Sequence, residues 1–185
     1  MGAEFEPLGS EIAFEGRMVR VGTERFRHAD GEEVSREKVW HPGAVGILAV
    51  DDTHVWLTRQ PREVVGASAS LEIPAGKLDV PGEAPLETGK RELAEEIGKQ
   101  AADWREIFAF YTSPGFSDER VWLYVATSLA DCESEDAGAD ESERIEIVPW
   151  PLTDLDGAIS DCQDSKSLIA LLWLAAKRRG GALGE

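Results

Sequence analysis

The chain has 185 residues, 42% of them hydrophobic, which fits one domain with a proper core and some accessory structure. A formal net charge of −17 and a pI near 4.5 exclude a nucleic-acid backbone or an anionic membrane as a general partner. The N-terminal MGAEFEPLGSE lacks the apolar core of a signal peptide, no apolar run approaches the ~20 residues that span a bilayer, and Cys132, Cys162 and the histidines His28, His41 and His54 make no zinc-type cluster, so a soluble, cytoplasmic protein with reduced thiols is expected.

Residues 11–40 are expected as strands. Ala13, Met18, Val19 and Val21 alternate mildly, Asp30-Gly31 signals a hairpin, and Val34 and Val39 continue beyond it. The stretch is too charged to make a core alone, so its strands should pair with each other and rest on something else, such as a second copy of the chain. Residues 44–50, AVGILAV, are a nearly continuous apolar run of the kind a doubly buried strand needs. Asp51-Asp52-Thr53 turns the chain, Val55–Thr58 returns as a strand, Arg59-Gln60-Pro61-Arg62 follows, and 63–70 (EVVGASAS) reads as a loop. Leu71–Gly76 is a short apolar strand running into a Pro/Gly loop, where Gly76 permits close backbone approach to a ligand.

A helix follows. Ala84-Pro85 is a start signal, since proline in the first turn loses an amide that had no partner, and Gly98 is a stop signal. Leu86, Leu93 and Ile97 recur at helical spacing and form the buried stripe. Residues 104–111 and 120–126 read as strands around a turn-rich loop at 113–119. Residues 131–144 hold no large apolar side chain and read as a solvated loop, and 145–150 resumes the sheet. Asp164-Ser165 caps a last helix with Leu168, Leu171, Leu172 and Ala175 on one face and Lys177-Arg178-Arg179 at its end. There are no internal repeats.

The acidic helix carries the chemistry. Glu92, Glu95 and Glu96 stand at i, i+3 and i+4, so their carboxylates crowd one patch and repel by roughly 0.2–0.5 kcal/mol per pair in water. A solvated acidic face is the ordinary reading of such a run. The strand and glycine loop upstream favour a cation site instead, and oxygen-only donors favour magnesium, or manganese.

Strand, glycine loop and acidic helix together resemble the Nudix hydrolase signature: a glycine, a glutamate, seven residues and REUxEExGU, with U a bulky aliphatic. Glu83, Arg91, Glu92, Leu93, Glu95, Glu96 and Gly98 fall on it, with seven residues between Glu83 and Arg91. Six residues rather than five separate Gly76 from Glu83, and Lys99 stands where an aliphatic usually closes the box; neither departure removes a ligand. The resemblance implies an α/β (α+β) fold, a Nudix α/β/α sandwich with a mixed sheet over 42–180, plus an N-terminal antiparallel β appendage over 1–41 that serves as a dimerisation arm.

It also implies metal ligands at Glu92, Glu95, Glu96 and the carbonyl of Ala75, with Glu92 and Glu96, one turn apart, as the central pair. Arg91 reads as a catalytic cation or a structural ion pair, its offset from the glutamate face favouring the latter. Glu83 reads as a ligand through water or as Arg91's partner. Further segments resemble the ADP-ribose pyrophosphatase type: the 113–119 loop with Glu119, Arg62 as a diphosphate-binding arginine, Glu72 as a pocket glutamate, and Arg36 near the adenosine end, reached across a dimer. In that branch the general base is a glutamate on a loop before the last strands. Here Asp140, Glu141 and Glu143 compete, with Glu141 preferred. The expected activity is metal-dependent hydrolysis of ADP-ribose to AMP and ribose 5-phosphate by a homodimer. The alternatives are GDP-mannose or another nucleoside diphosphate sugar as substrate, or a Nudix fold that senses ADP-ribose without turnover.

Overall fold

The computed structural model describes residues 5–132 and 144–180, which divide into two units. One comprises the chain through Gly43 together with Phe110–Arg120; the other comprises Ala44–Ala109 and the chain from Val121 onward.

In the first unit β1 (Phe5–Glu15), β2 (Arg20–His28) and β3 (Glu33–Trp40) form an antiparallel sheet in the order β1-β2-β3. The Asp30-Gly31 signal marks the β2–β3 turn: Gly31 takes φ +89°, and the Glu32 N–H donates to Asp30 Oδ1 at 3.0 Å. Among the described residues of these strands only Gly22 is buried, and a Cβ there would lie 2.1 Å from the Glu11 carbonyl oxygen. Phe5, Ile12, Phe14 and Met18 are exposed, as expected of strands that cannot bury a face on their own. The 110–120 segment joins through Val39, whose N–H donates to the Phe116 carbonyl at 2.8 Å and whose carbonyl accepts from Asp118 N–H at 3.2 Å.

The second unit is built on β4 (Ala44–Val50), every residue of which beyond Ala44 is buried. β5 (His54–Arg62) lies antiparallel to it, with β6 (Ala67–Glu72) antiparallel to β5 and the short β7 (Ala75–Lys77) antiparallel to β4. Helix α1 (Pro85–Ile97) precedes β8 (Lys99–Tyr111), and β9 (Arg120–Asp131) pairs parallel with β4 from Ala44↔Val121 to Ala49↔Ala126. β10 (Glu146–Pro151) closes the sheet against β5, giving the order β10-β5-β4-β9-β8, and α2 (Leu155–Asp161) and α3 (Ser165–Arg179) follow. The sheet is therefore mixed, and its companion in the first unit is purely antiparallel.

Strand alternation divides β4 between two layers. Val45, Ile47 and Ala49 pack with Leu93 and Ile97 of α1 and with Tyr124 and Ala126 of β9, while Trp56, Leu86 and Trp104 flank that core. Gly46 opposes Ile73, whose Cδ1 would lie 2.9 Å from a Cβ at that position, and α3 buries Ala170, Leu171, Leu174 and Ala175.

Two local expectations need correction. Residues 63–70 are not one loop: a 3-10 turn over Glu63–Val65 ends at Gly66 (φ +70°), and Ala67–Ser70 belong to β6. Small side chains there carry no strand signature, and the pairing comes from the β5 backbone, with a bulge at Pro61, which has no N–H to give the ladder. The seven-residue α2 also goes unannounced by the pattern; Asp154 caps it by accepting the Gly157 N–H at 3.2 Å.

Candidate active site

Helix α1 begins and ends where its local signals require. Ala84 is extended (φ −76°, ψ 150°), Pro85 opens the first turn, and Gly98 closes the last in the left-handed region at φ 65°. Leu93 and Ile97 fix the helix rotation by entering the core, which turns the acids toward the β6–β7 connection. Glu96 is 5% exposed and accepts the Ala75 N–H at 3.0 Å. The Glu92 side chain lies directly over Gly76, where a Cβ would fall 2.2 Å from Glu92 Cδ. The close approach that Gly76 permits is thus made by a side chain of the protein itself. Ala75, Glu92 and Glu96 come together at this point.

Arg91 lies among the remaining acids. Its Nη1 donates to Glu92 Oε1 at 2.9 Å and to Glu95 Oε2 at 2.7 Å, and its Nη2 pairs with Glu83 Oε2 at 3.3 Å. Partial burial opposes its charge, but Glu83, Glu92 and Glu95 outweigh that and raise its pKa above the usual arginine value. Glu83 is held below the ordinary carboxylate range by the Arg91 hydrogen bond and by the Thr88 hydroxyl, which donates at 2.8 Å. Of the two readings of Arg91, this geometry is the ion pair. Among the described residues no three acids, histidines or cysteines are gathered closely enough to hold a metal. The donor chemistry still suits a hard cation: three carboxylates and a backbone carbonyl, with Gly76 letting the Glu92 carboxylate lie against the loop. A cation there would compete with Arg91 for Glu92 and Glu95.

Next along the chain, Glu72 and Arg62 are brought into direct contact. Arg62 Nε and Nη2 donate to the two Glu72 oxygens at 2.7 and 2.8 Å, a bidentate fork. Lys166 Nζ adds a third bond to Glu72 Oε2 at 2.7 Å and pairs with Asp164 at 3.0 Å. Burial is the largest influence on Glu72 and pushes its carboxyl up, but Arg62 and Lys166 together override it and hold it at about 2. Glu72 is 2% exposed with both oxygens engaged, whereas the Arg62 side chain is 43% exposed. Glu96 also acts on Arg62, adding to the forces that hold its charge. Lys166 and Ser167 were not expected as site neighbours: the Asp164 cap foretells a helix start, but nothing local says what its first turn faces.

Arg36 and Glu119 belong to the first unit. Arg36 is exposed, donates to the Ser35 carbonyl at 2.9 Å, and lines a cavity of about 540 Å³ with Phe26, Lys38, Tyr111, Phe116 and Asp118. Glu119 accepts the Thr112 hydroxyl at 2.7 Å and lies 3.8 Å from His41 Nδ1. Asp140, Glu141 and Glu143 lie outside the described residues.

An acidic helix packed by Gly76 against a short loop beside the central strand of a mixed sheet defines a class of fold, and comparison with known proteins agrees with it. The NUDIX domain model matches residues 40–172, and the chain belongs to the Nudix hydrolase family. It is 37% identical over 177 residues to the ADP-ribose pyrophosphatase of Bacillus subtilis, covering 94% of each chain. It is 40% identical over 141 residues to that of Mycobacterium tuberculosis, covering 76% of this chain and 68% of the other. A methanol dehydrogenase activator of Bacillus methanolicus is 37% identical over 179 residues, 94% of this chain and 95% of that one. The crystal structure of an ADP compounds hydrolase superposes with a TM-score of 0.78 at 26% identity, covering 96% of this chain and 95% of the other. The chain is thus an ADP-ribose pyrophosphatase-like Nudix hydrolase.

Proposed function

We propose that this protein hydrolyses the diphosphate linkage of ADP-ribose, or of a related nucleoside diphosphate sugar, to AMP and ribose 5-phosphate in the presence of Mg2+ or Mn2+. The observation that carries the reading is the packing of Ala75 and Gly76 against Glu96 and Glu92, with Arg62 aimed by Glu72 beside them. Glu92, Glu95, Glu96 and the Ala75 carbonyl would hold the ion. A divalent cation there neutralises phosphoryl oxygens and lowers the pKa of a bound water. The chain's own residues do the rest. Arg62, its Nε and Nη2 fixed on Glu72, offers its outer edge to the diphosphate. Glu141 takes the proton from the attacking water as the P–O bond to the leaving phosphate breaks. Arg36 and Glu119 serve the substrate's nucleoside side. A homodimer assembled through the exposed apolar side chains of the N-terminal sheet would bring Arg36 from the second copy. None of the described helices is long and apolar enough to cross a membrane.

A second reading has one observation in its favour. A relative as similar as the pyrophosphatases is named as an activator of another enzyme, so ligand binding or partner regulation without turnover is the alternative. Intact carboxylates at 92, 95 and 96 favour hydrolysis. Product analysis with Mg2+ decides, comparing ADP-ribose, GDP-mannose, diadenosine polyphosphates and nucleoside triphosphates. AMP released from ADP-ribose, stopped by chelator and by Glu96→Gln with the fold retained, supports the proposal. Turnover of another substrate overturns the substrate assignment, full activity of Glu96→Gln overturns the metal assignment, and tight ADP-ribose binding without turnover favours the alternative.

A further inference from the structure

The four residues Glu72–Ala75 run from the end of β6 into β7, and each is hydrogen-bonded to another element of the second unit. Glu72 is bound by Arg62 of β5 and Lys166 of α3. The Ile73 N–H donates to Ser167 Oγ at 2.8 Å, with both residues fully buried. The Pro74 carbonyl accepts the Ile47 N–H of β4 at 2.8 Å, and the Ala75 N–H donates to Glu96 of α1 at 3.0 Å. Two of these five holds come from the first turn of α3, more than 90 residues away in the chain. Asp164 sets that turn: its Oδ2 accepts the Ser167 N–H at 3.0 Å, the Ser167 hydroxyl at 2.5 Å and the Lys166 ammonium at 3.0 Å. The Ser167 hydroxyl thus points its free lone pair at Ile73, since its proton is taken up by Asp164.

We infer that Lys166 and Ser167 are positioning residues for the acidic site: Ser167 holds the Ile73 backbone and Lys166 the Glu72 side chain before it, keeping Ile73–Gly76 against Glu92 and Glu96, and so they set the site's affinity for a divalent cation. The inference rests on the metal reading proposed above. Groups of this kind, which touch the ligand-bearing backbone rather than the ion, govern metal affinity about as strongly as some ligands do. Removing the Ser167 oxygen leaves the Ile73 N–H buried without an acceptor, so the connection must shift to find one, and Ala75 moves with it.

The test is Mn2+ binding, followed by the paramagnetic resonance of the free ion, together with thermal melting, in the full chain carrying Ser167→Ala, Lys166→Gln or Leu171→Val. Leu171 is fully buried in the same helix, one turn on, and serves as a control for destabilisation alone. Ser167→Ala is expected to weaken Mn2+ about tenfold. Leu171→Val should lower the melting temperature and leave Mn2+ affinity within about twofold of the parent, because it removes packing only. If Ser167→Ala does not fold, Lys166→Gln carries the same expectation, since the shorter, uncharged side chain gives up the ion pair with Glu72. A positioning variant that melts lower yet binds Mn2+ as the parent does overturns the inference and leaves the metal reading intact. A parent chain that takes up no Mn2+ overturns the metal reading and the inference with it.

Discussion

Replacing Glu72 by glutamine separates a buried charge network from its shape. Glu72→Gln keeps side-chain length and one acceptor oxygen but leaves the Lys166 ammonium, 14% exposed in its side chain, with Asp164 as its remaining partner. Arg62, at 43% exposure, can turn to water, so most of the cost falls on Lys166. The carboxyl's fall from 4.5 to about 2 corresponds to about 3 kcal/mol of stability, at the lower end of the ~3–5 kcal/mol for breaking a buried pair. The sign follows from the direction. A carboxylate whose folded-state value is depressed contributes fully above its unfolded value near 4.5 and loses that contribution as pH falls toward about 2. Urea unfolding of parent and variant should therefore differ by about 3 kcal/mol at about pH 7 and by about 2 kcal/mol at about pH 3.5. A gap under about 1 kcal/mol at neutral pH, or one that does not narrow with acid, would refute the reasoning.

Gly76→Ala should displace the Glu92 carboxylate, because the new Cβ would fall 2.2 Å from Glu92 Cδ. Since a side chain can swing away, stability should drop by no more than about 1 kcal/mol while Mn2+ affinity and turnover fall at least about tenfold, read by melting, ion titration and initial rates. Glu141→Gln should lower kcat by about 100-fold or more with KM little changed; a larger loss from Glu143→Gln would move the proton acceptor there. Deleting residues 1–40 removes the sheet that exposes Phe5, Ile12, Phe14 and Met18, and should turn a dimer into a monomer by light scattering; a truncated chain that still has the mass of two copies would dismiss that sheet as the dimer contact.

What could be read from the chain alone divides along a physical line. Elements written by local signals were legible: α1 between Pro85 and Gly98, the apolar β4, and the hairpin at Asp30-Gly31. β6 was not, because Ala67–Ser70 pair through backbone groups that every residue carries. The glutamate face of α1 was legible from its spacing and the Arg91–Glu83 ion pair was one of the readings offered, but the further bonds of Arg91 to Glu92 and Glu95 were not read. Glu72 was expected as a pocket glutamate, and its bonds to Arg62 and Lys166 were not read from the sequence. The order of a sequence does not say which charges meet across 94 positions.

That separation in sequence also sets a timetable. The hydrogen bond from Ile73 to Ser167 joins residues 94 apart, and the parallel pairing of β4 with β9 closes a loop of comparable length. At a synthesis rate of about 5–20 residues per second, Ile73 waits roughly 5–20 s before Ser167 exists to hold it. Contacts at such distances form late, after loop-closure entropy has been overcome. During translation α1 can coil with its acids in place while Glu72 and Ile73 still lack Lys166 and Ser167. A nascent chain cut short before α3 would carry the whole signature motif, with Pro74 and Ala75 held by Ile47 and Glu96 but the Ile73 N–H without its acceptor.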